Sequence, residues 1–249
     1  LSQAQVPAIE VVEETGSTNT ELLSRLAQGE TIPECYWLRA ERQTGGRGRL
    51  GRKWESPEGN LFCSTFVAVR ESDPPPHTLS FVAGLAVADT LRRSLLPGTP
   101  MMLKWPNDAL VRGDKIAGIL LERCAAGVVA GIGVNVSSAP EIPGRHTTSI
   151  LSENGKHGGS PRLVLSILAD EFANRLSQWR QEPLAQTLDA WTSAAHPIGS
   201  DLTVGSGVEA VTGAFAGLDE DGALLLRLAN GAIRTIHAGD VSMISQGTS

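Results

Sequence analysis

Residues 41–54 read ERQTGGRGRLGRKW and hold the densest cluster of groups able to grip an anion. Arg47, Arg49, Arg52 and Lys53 alternate with Gly45, Gly46, Gly48 and Gly51. Glycine lets backbone come close to a ligand, and the arginine fork matches the geometry of phosphate and carboxylate. A loop with both properties can close over a small polyanion. Gly46-x-Gly48-x-x-Gly51 matches the dinucleotide-binding fingerprint letter for letter. That fingerprint must open a helix with its third glycine, whereas KWESPEG follows here, and Pro57 and Gly59 oppose a helix. No GK[ST] follows to make a P-loop. The plain alternative is a solvated basic turn, at odds with the entropic cost of ordering so many glycines.

A second constellation is Lys104–Leu121, KWPNDALVRGDKIAGILL. Trp105-Pro106 makes an extended corner, Asn107 and Asp108 occupy the turn after it, and a hairpin returns Lys115 at the start of the next strand. Ala117 and Gly118 leave room beside that lysine. An ordinary Asx turn with a surface lysine is the bland reading; beside the first loop, the segment reads as a pocket wall holding a cation. Ser17-Thr18-Asn19 caps a helix at the least, and its remaining polar groups plus the positive helix end can hold a polar ligand. In Gly131-Ile132-Gly133-Val134-Asn135 the glycines mark a bulge or a close neighbour, and Asn135 can meet a nucleobase edge; a packed strand of small residues is the equal alternative. The chain has four lysines, and Lys53, Lys104 and Lys115 lie in these segments while Lys156 does not. Metal-ligand spacing and a Ser/His/Asp arrangement are lacking, so zinc and hydrolytic chemistry find no support and metal ligands stay unassigned.

These segments need elements to position them. Thr18 and Glu21 fit a capping box, Leu22, Leu23 and Leu26 form a helical face, and Gly29 marks the stop. Cys35–Glu41 reads as the strand that delivers the basic loop, and Leu61–Val69 as another. His77–Leu96 is a buried helix after Pro74, Pro75 and Pro76. Strands are expected over Met101–Trp105, Ala109–Val111, Ile116–Glu122 and Val128–Val136, with a hairpin turn at Gly113–Asp114. Ser137–Ser160 reads as loop. Pro161–Gln181 carries Val164, Leu168, Phe172 and Leu176 at helical spacing, and Pro183–His196 adds a further helix. From Pro197 the texture turns all-β: Leu202–Val204, Val208–Ala216, Ala223–Leu228 and Ala232–His237, with turns at Asp219–Gly222 and Asn230–Gly231. The expected domains are 1–196 and 197–249.

With 249 residues and 41% apolar content, the chain suits one large domain and a small one. A net charge of −6 weighs against nucleic acid as the main partner and makes the basic loop a local feature. Cys35, Cys63 and Cys124 are odd in number and widely spaced, which suggests no disulfide framework and favours a reducing cytoplasm. No apolar run reaches membrane-spanning length, and the N-terminus does not read as a signal peptide.

GSTNTELL, ERQTGGRGRLGRKWESPEGNLFCS, LKWPNDALVRGDKIAGILLE and GIGVNV, in this order, resemble biotin protein ligase. The resemblance spans about residues 14–136, and DEDGALLL extends it more weakly to the C-terminal module. It implies an α+β fold related to class II aminoacyl-tRNA synthetases, a mixed sheet with helices, plus a small C-terminal SH3-like β-barrel. It implies formation of biotinyl-5′-AMP from biotin and ATP with Mg2+, then transfer of biotin to one lysine of a biotin carboxyl carrier protein. By motif position, Ser17, Thr18, Gln43, Gly46, Arg47, Lys115 and Gly118 would hold biotin. Arg49, Arg52, Trp54, Asn107 and Asn135 would lie on the ATP or adenylate side, with Lys115, Arg49 and Arg47 catalytic and Arg49 retaining the adenylate. The composition of the basic loop suggests disorder before ligand binds. About sixteen residues precede Ser17, too few for the family's DNA-binding winged helix, so sequence-specific DNA is not an expected partner; monomer and homodimer both stay open. The competing readings are a lipoate or octanoyl ligase or transferase, a nucleic-acid binding module, and a biotin sensor without catalysis.

Overall fold

The computed structural model describes residues 8–155, 159–205 and 210–243. Lys156 and the first residues of the expected Val208–Ala216 strand lie outside them. The chain forms β1 (Ile9–Thr15), α1 (Thr18–Ala27), β2 (Trp37–Gln43), β3 (Leu61–Ala68), α2 (Leu79–Ser94), β4 (Met101–Lys104), β5 (Asp108–Val111), β6 (Asp114–Cys124) and β7 (Gly127–Val134). It continues with α3 (Ile150–Asn154), α4 (Pro161–Gln181), α5 (Leu184–Ala194), β8 (Asp201–Val204), β9 (Val211–Leu218), β10 (Leu224–Arg227), β11 (Ile233–Ile236) and β12 (Val241–Met243).

Seven strands make one mixed sheet in the order β1-β2-β3-β7-β6-β5-β4. Only β1 and β2 run parallel, which α1 makes possible as the crossover between them. The long partners β3, β7 and β6 form the antiparallel centre. On one face lie α2, α4 and α5, sealed by edge-to-face contacts of Trp37 with Phe172 and Phe81 with Trp191, centroids 5.5 and 5.4 Å apart. On the other face α1 buries Leu22 with Leu38, Phe66 and Val129. The second sheet is antiparallel throughout, in the order β11-β10-β9-β8-β12. Its Leu202, Val204, Phe215, Leu224, Leu226 and Val241 belong to the same buried cluster as α2 and α5. At this junction Trp105 Nε1 donates to Gly222 O at 3.2 Å, and Leu103 bridges Ala195. No helix of the described residues is long and apolar enough to cross a membrane.

Several expectations need correction. The strand into the basic loop is Trp37–Gln43, two residues later than expected at each end. The expected capping box is not formed: Ser17 is the N-cap and makes no side-chain cap bond, and the amide of Thr18 is satisfied instead by Gln43 Oε1 at 2.9 Å, from the end of the neighbouring strand β2. The hairpin turn is Arg112–Gly113, because Val111 pairs with Asp114 and both turn residues have positive φ (53° and 91°). The Trp105–Pro106 bond is cis. The stretch 137–160, expected as loop, contains α3.

Candidate active site

Eleven of the twelve residues singled out from the sequence line one cleft; the twelfth, Gly46, lies at the base of the basic loop, accepting from Trp54 N–H at 2.9 Å. The cleft is lined by residues of α1, β2, β3, β6 and β7 together with the loops between elements. Its floor is β6 and β7, its near wall the N-terminus of α1, and its far wall Asn107–Asp108 with the strap 140–147. The basic loop lies across it. No helix follows Gly51, in keeping with the rejected dinucleotide reading. Leu50, at the loop tip, is left-handed (φ 58°) and the most exposed large apolar side chain described.

A β-bulge aims the key lysine. Asp108 pairs with Gly118 and Ala109 with Ala117, but Leu110 pairs with Lys115, so Ile116 is the extra residue. The insertion flips the alternation of faces: Lys115 Cε lies 3.3 Å from where a Cβ of Gly118 would stand. Lys115 Nζ meets Asp108 Oδ1 at 2.5 Å, both side chains being nearly buried, and Lys104 stands 3.7 Å from the other carboxylate oxygen. Burial pushes the Lys115 ammonium below the usual lysine range, opposed by Asp108. Asp108 was named in the sequence only as a turn residue; its role as the partner of Lys115 comes from the fold.

Trp54 explains the glycines on the floor. A Cβ at Gly133 would lie 2.5 Å from the indole, and one at Gly118 would lie 2.7 Å from it. The ring lies flush on β6 and β7, with Lys115 Nζ 5.2 Å from its centroid. Trp54 Nε1 is buried with no partner in the described structure, a donor available to an incoming acceptor.

Carboxylates of the protein itself hold the loop across the cleft. Arg47 Nη2 reaches both oxygens of Glu122 at 2.9 and 3.0 Å. Glu122 also accepts from Asn19 Nδ2 at 2.8 Å, and Ser64 Oγ joins Asn19 to Thr18. Arg52 binds Asp240 of the C-terminal module at 2.7 Å, and Lys53 binds Glu55 at 3.0 Å. Arg49 has no such partner among the described residues: its nearest polar neighbours are Asn107 Oδ1 and Gly239 O, each at 3.5 Å, and burial lowers its affinity for its proton. Glu122, Asp240 and Arg145 line or brace this site and went unmarked in the sequence, where Asn19 was marked only within the Ser17-Thr18-Asn19 cap. The two asparagines thought to face a ligand are engaged in holding the walls. Asn107 Nδ2 donates to Ile119 O at 2.7 Å, and Asn135 Nδ2 to Thr148 O at 3.0 Å. No group of three or more His, Cys, Asp or Glu able to cage a metal occurs among the described residues.

Chemically, the arrangement brings a buried ammonium, a cluster of guanidiniums and a helix N-terminus to one partly apolar cleft. It suits two anions that must be brought together and kept from water. Comparison with other proteins agrees with this reading. Residues 11–138 match the profile of the Biotin/lipoate A/B protein ligase family, and residues 198–243 that of the Biotin protein ligase C terminal domain. A biotin--[acetyl-CoA-carboxylase] ligase of Paracoccus denitrificans is 37% identical over 223 residues, covering 86% of this chain and 91% of its own. One from Mycobacterium tuberculosis is 38% identical over 239 residues, covering 94% and 88%. The solved biotin protein ligase of Aquifex aeolicus in complex with biotin and ATP superposes with a TM-score of 0.80 at 29% identity, over 95% of this chain and 98% of that one.

Proposed function

This chain belongs to the Biotin/lipoate A/B protein ligase family, and we infer that it is an ATP-dependent biotin ligase whose chemistry is carried out in the cleft under the basic loop. The observation that carries the reading is the convergence of Lys115, bulged onto the Gly118 face, with Arg47, Arg49 and Arg52 of the loop. Biotin and ATP as substrates follow from the relatives and neighbours bearing those names.

A carboxylate is already a nucleophile at neutral pH. Its oxygen attacks the α-phosphorus of ATP, the bond to the bridging oxygen breaks, and pyrophosphate leaves with the electron pair. What this step needs is neutralisation of two anions that repel each other. Lys115 and Arg47 hold the biotin carboxylate. Ser17, Thr18, Gln43, Gly46 and Gly118 shape the biotin end of the cleft, with the Thr18–Gln43 bond fixing the helix terminus. Arg49, Arg52 and Trp54 take the nucleotide side. Asn107 and Asn135 serve that side chiefly by bracing the walls. Magnesium supplies further charge neutralisation when it enters with the triphosphate. The few carboxylates at the cleft fit an ion carried mainly by phosphate oxygens better than one caged by protein. The mixed anhydride then stays under the loop, with Arg49 against it, until the amine of an acceptor lysine attacks the biotinyl carbonyl, an amide forms and AMP departs. The acceptor is a biotin carboxyl carrier domain of a carboxylase. Residues 1–196 carry the catalytic work and 197–249 support the loop from outside. All three cysteines are unpaired, which supports a cytoplasmic setting.

The test is exchange of labelled pyrophosphate into ATP, with biotin, lipoate and octanoate supplied in turn. Exchange with biotin alone is expected. Exchange with lipoate or octanoate alone moves the chain to another branch of its family, and silence with all three defeats the ligase reading.

A further inference from the structure

Arg145 lies on the strap between β7 and α3, and two backbone bonds fix that strap beside the key lysine. Lys115 N–H donates to His146 O and Thr148 N–H to Lys115 O, each at 3.0 Å. Arg145 N–H closes a small turn onto Ile142 O at 3.0 Å, and Thr147 Oγ1 donates to Pro140 O at 2.6 Å. The Cα of Arg145 is therefore one residue from the backbone clamped to Lys115. Its side chain lines the cleft, with its guanidinium 3.6 Å from Asp240. That distance is too long for a good hydrogen bond, and no hydrogen bond from the Arg145 guanidinium is found among the described residues. Asp240 is already taken by Arg52 at 2.7 Å, and Arg49 also acts on it electrostatically. Three guanidiniums, from two separate elements, thus surround one carboxylate. Of these, Arg52 makes the close pair, Arg145 only the long ion pair at 3.6 Å, and Arg49 no ion pair among the described residues.

A single negative charge is a poor match for three positive ones. A polyanion reaching from Lys115 toward the mouth is a good match. We propose that Arg145 is a further substrate-positioning residue of this chain: with Arg49 and Arg52 it seats the β- and γ-phosphates of ATP, and Asp240 keeps that seat assembled while nucleotide is absent. The assignment rests on the ligase reading above. It places the α-phosphate near Lys115, where the carboxylate attacks, and directs the departing pyrophosphate along Arg145 to solvent. Arg145 bonds to neither biotin nor the acceptor lysine, so its contribution ends once pyrophosphate has gone.

The experiment compares wild type with Arg145→Gln and Arg145→Lys in two half-reactions: biotin-dependent pyrophosphate exchange, and transfer to a carrier domain from biotinyl-adenylate supplied preformed. For Arg145→Gln the KM values for ATP and for pyrophosphate rise about tenfold, the loss of one charge-assisted contact. The KM for biotin and the transfer rate stay within about twofold of wild type, and Arg145→Lys recovers part of the loss. An ATP KM within about twofold of wild type overturns the assignment. So does a parallel fall in exchange and transfer, which marks a merely structural residue. If wild type itself shows no biotin-dependent exchange, the ligase reading falls and this assignment with it; wild-type exchange with an indifferent Arg145→Gln sinks the assignment alone.

Discussion

Lys115 is held by opposing influences. Burial disfavours its charge, while Asp108 at 2.5 Å restores it. A buried pair is weak support for stability but costly to break from one side. Removing the lysine does not leave Asp108 alone, because Lys104 remains 3.7 Å away. We therefore expect Lys115→Ala to lower biotin-dependent pyrophosphate exchange on the order of a thousandfold while its thermal midpoint moves by only a few degrees; a large fall in the midpoint, or near-normal exchange, contradicts this. Much of the residue-level site was legible. Glycines and arginines at this density in an acidic chain are unusual, and the lysine sits in a distinctive segment. Their partners were not legible: Glu122 and Asp240 stand 75 and 188 residues from Arg47 and Arg52. Nor was the side of the strand that Lys115 faces, since a single inserted residue decides it.

At the scale of elements, the sequence spoke clearly where periodicity ran long. The helix Pro161–Gln181 has the expected ends because Ser160 caps Leu163 N–H, Pro161 opens the first turn, and Val164, Leu168, Phe172 and Leu176 share one buried face. Short or edge elements left too little pattern. IEVVEET is an edge strand with three glutamates, α3 spans five residues and β12 three. The joint between α5 and β8 carries a consequence for pH. His196 is buried there with both ring nitrogens unpartnered, and burial followed by the charge of Lys104 lowers its pKa from 6.5 to about 4. The unfolded chain then binds more protons than the folded one between those values. Stability is thus full above pH 6.5 and falls as pH drops toward 4, with a loss on the order of 2–3 kcal/mol from this residue. Urea unfolding at pH 7.5, 5.5 and 4.5 should show the decline, and His196→Leu should flatten it over that window; an equal slope in the variant assigns the effect elsewhere.

Across the whole molecule, one buried cluster runs from the seven-stranded sheet through α2 and α5 into the five-stranded one. The C-terminal module is anchored by Phe81 against Gly222 and by the Trp105–Gly222 bond, and it sets the distant Asp240 beside the loop, 2.7 Å from Arg52. Rigid placement of a loop from two sides preorganises its charges. The cleft consequently supplies Arg47 with a counter-ion from within the protein. Taking up the biotin carboxylate is then largely a swap of one anion for another at Arg47, rather than the capture of an anion by bare charge. Such an exchange should respond weakly to ionic strength: raising salt from 50 to 300 mM should change biotin affinity, measured calorimetrically, by less than about threefold in wild type, and by clearly more once Glu122→Gln strips Arg47 of its partner.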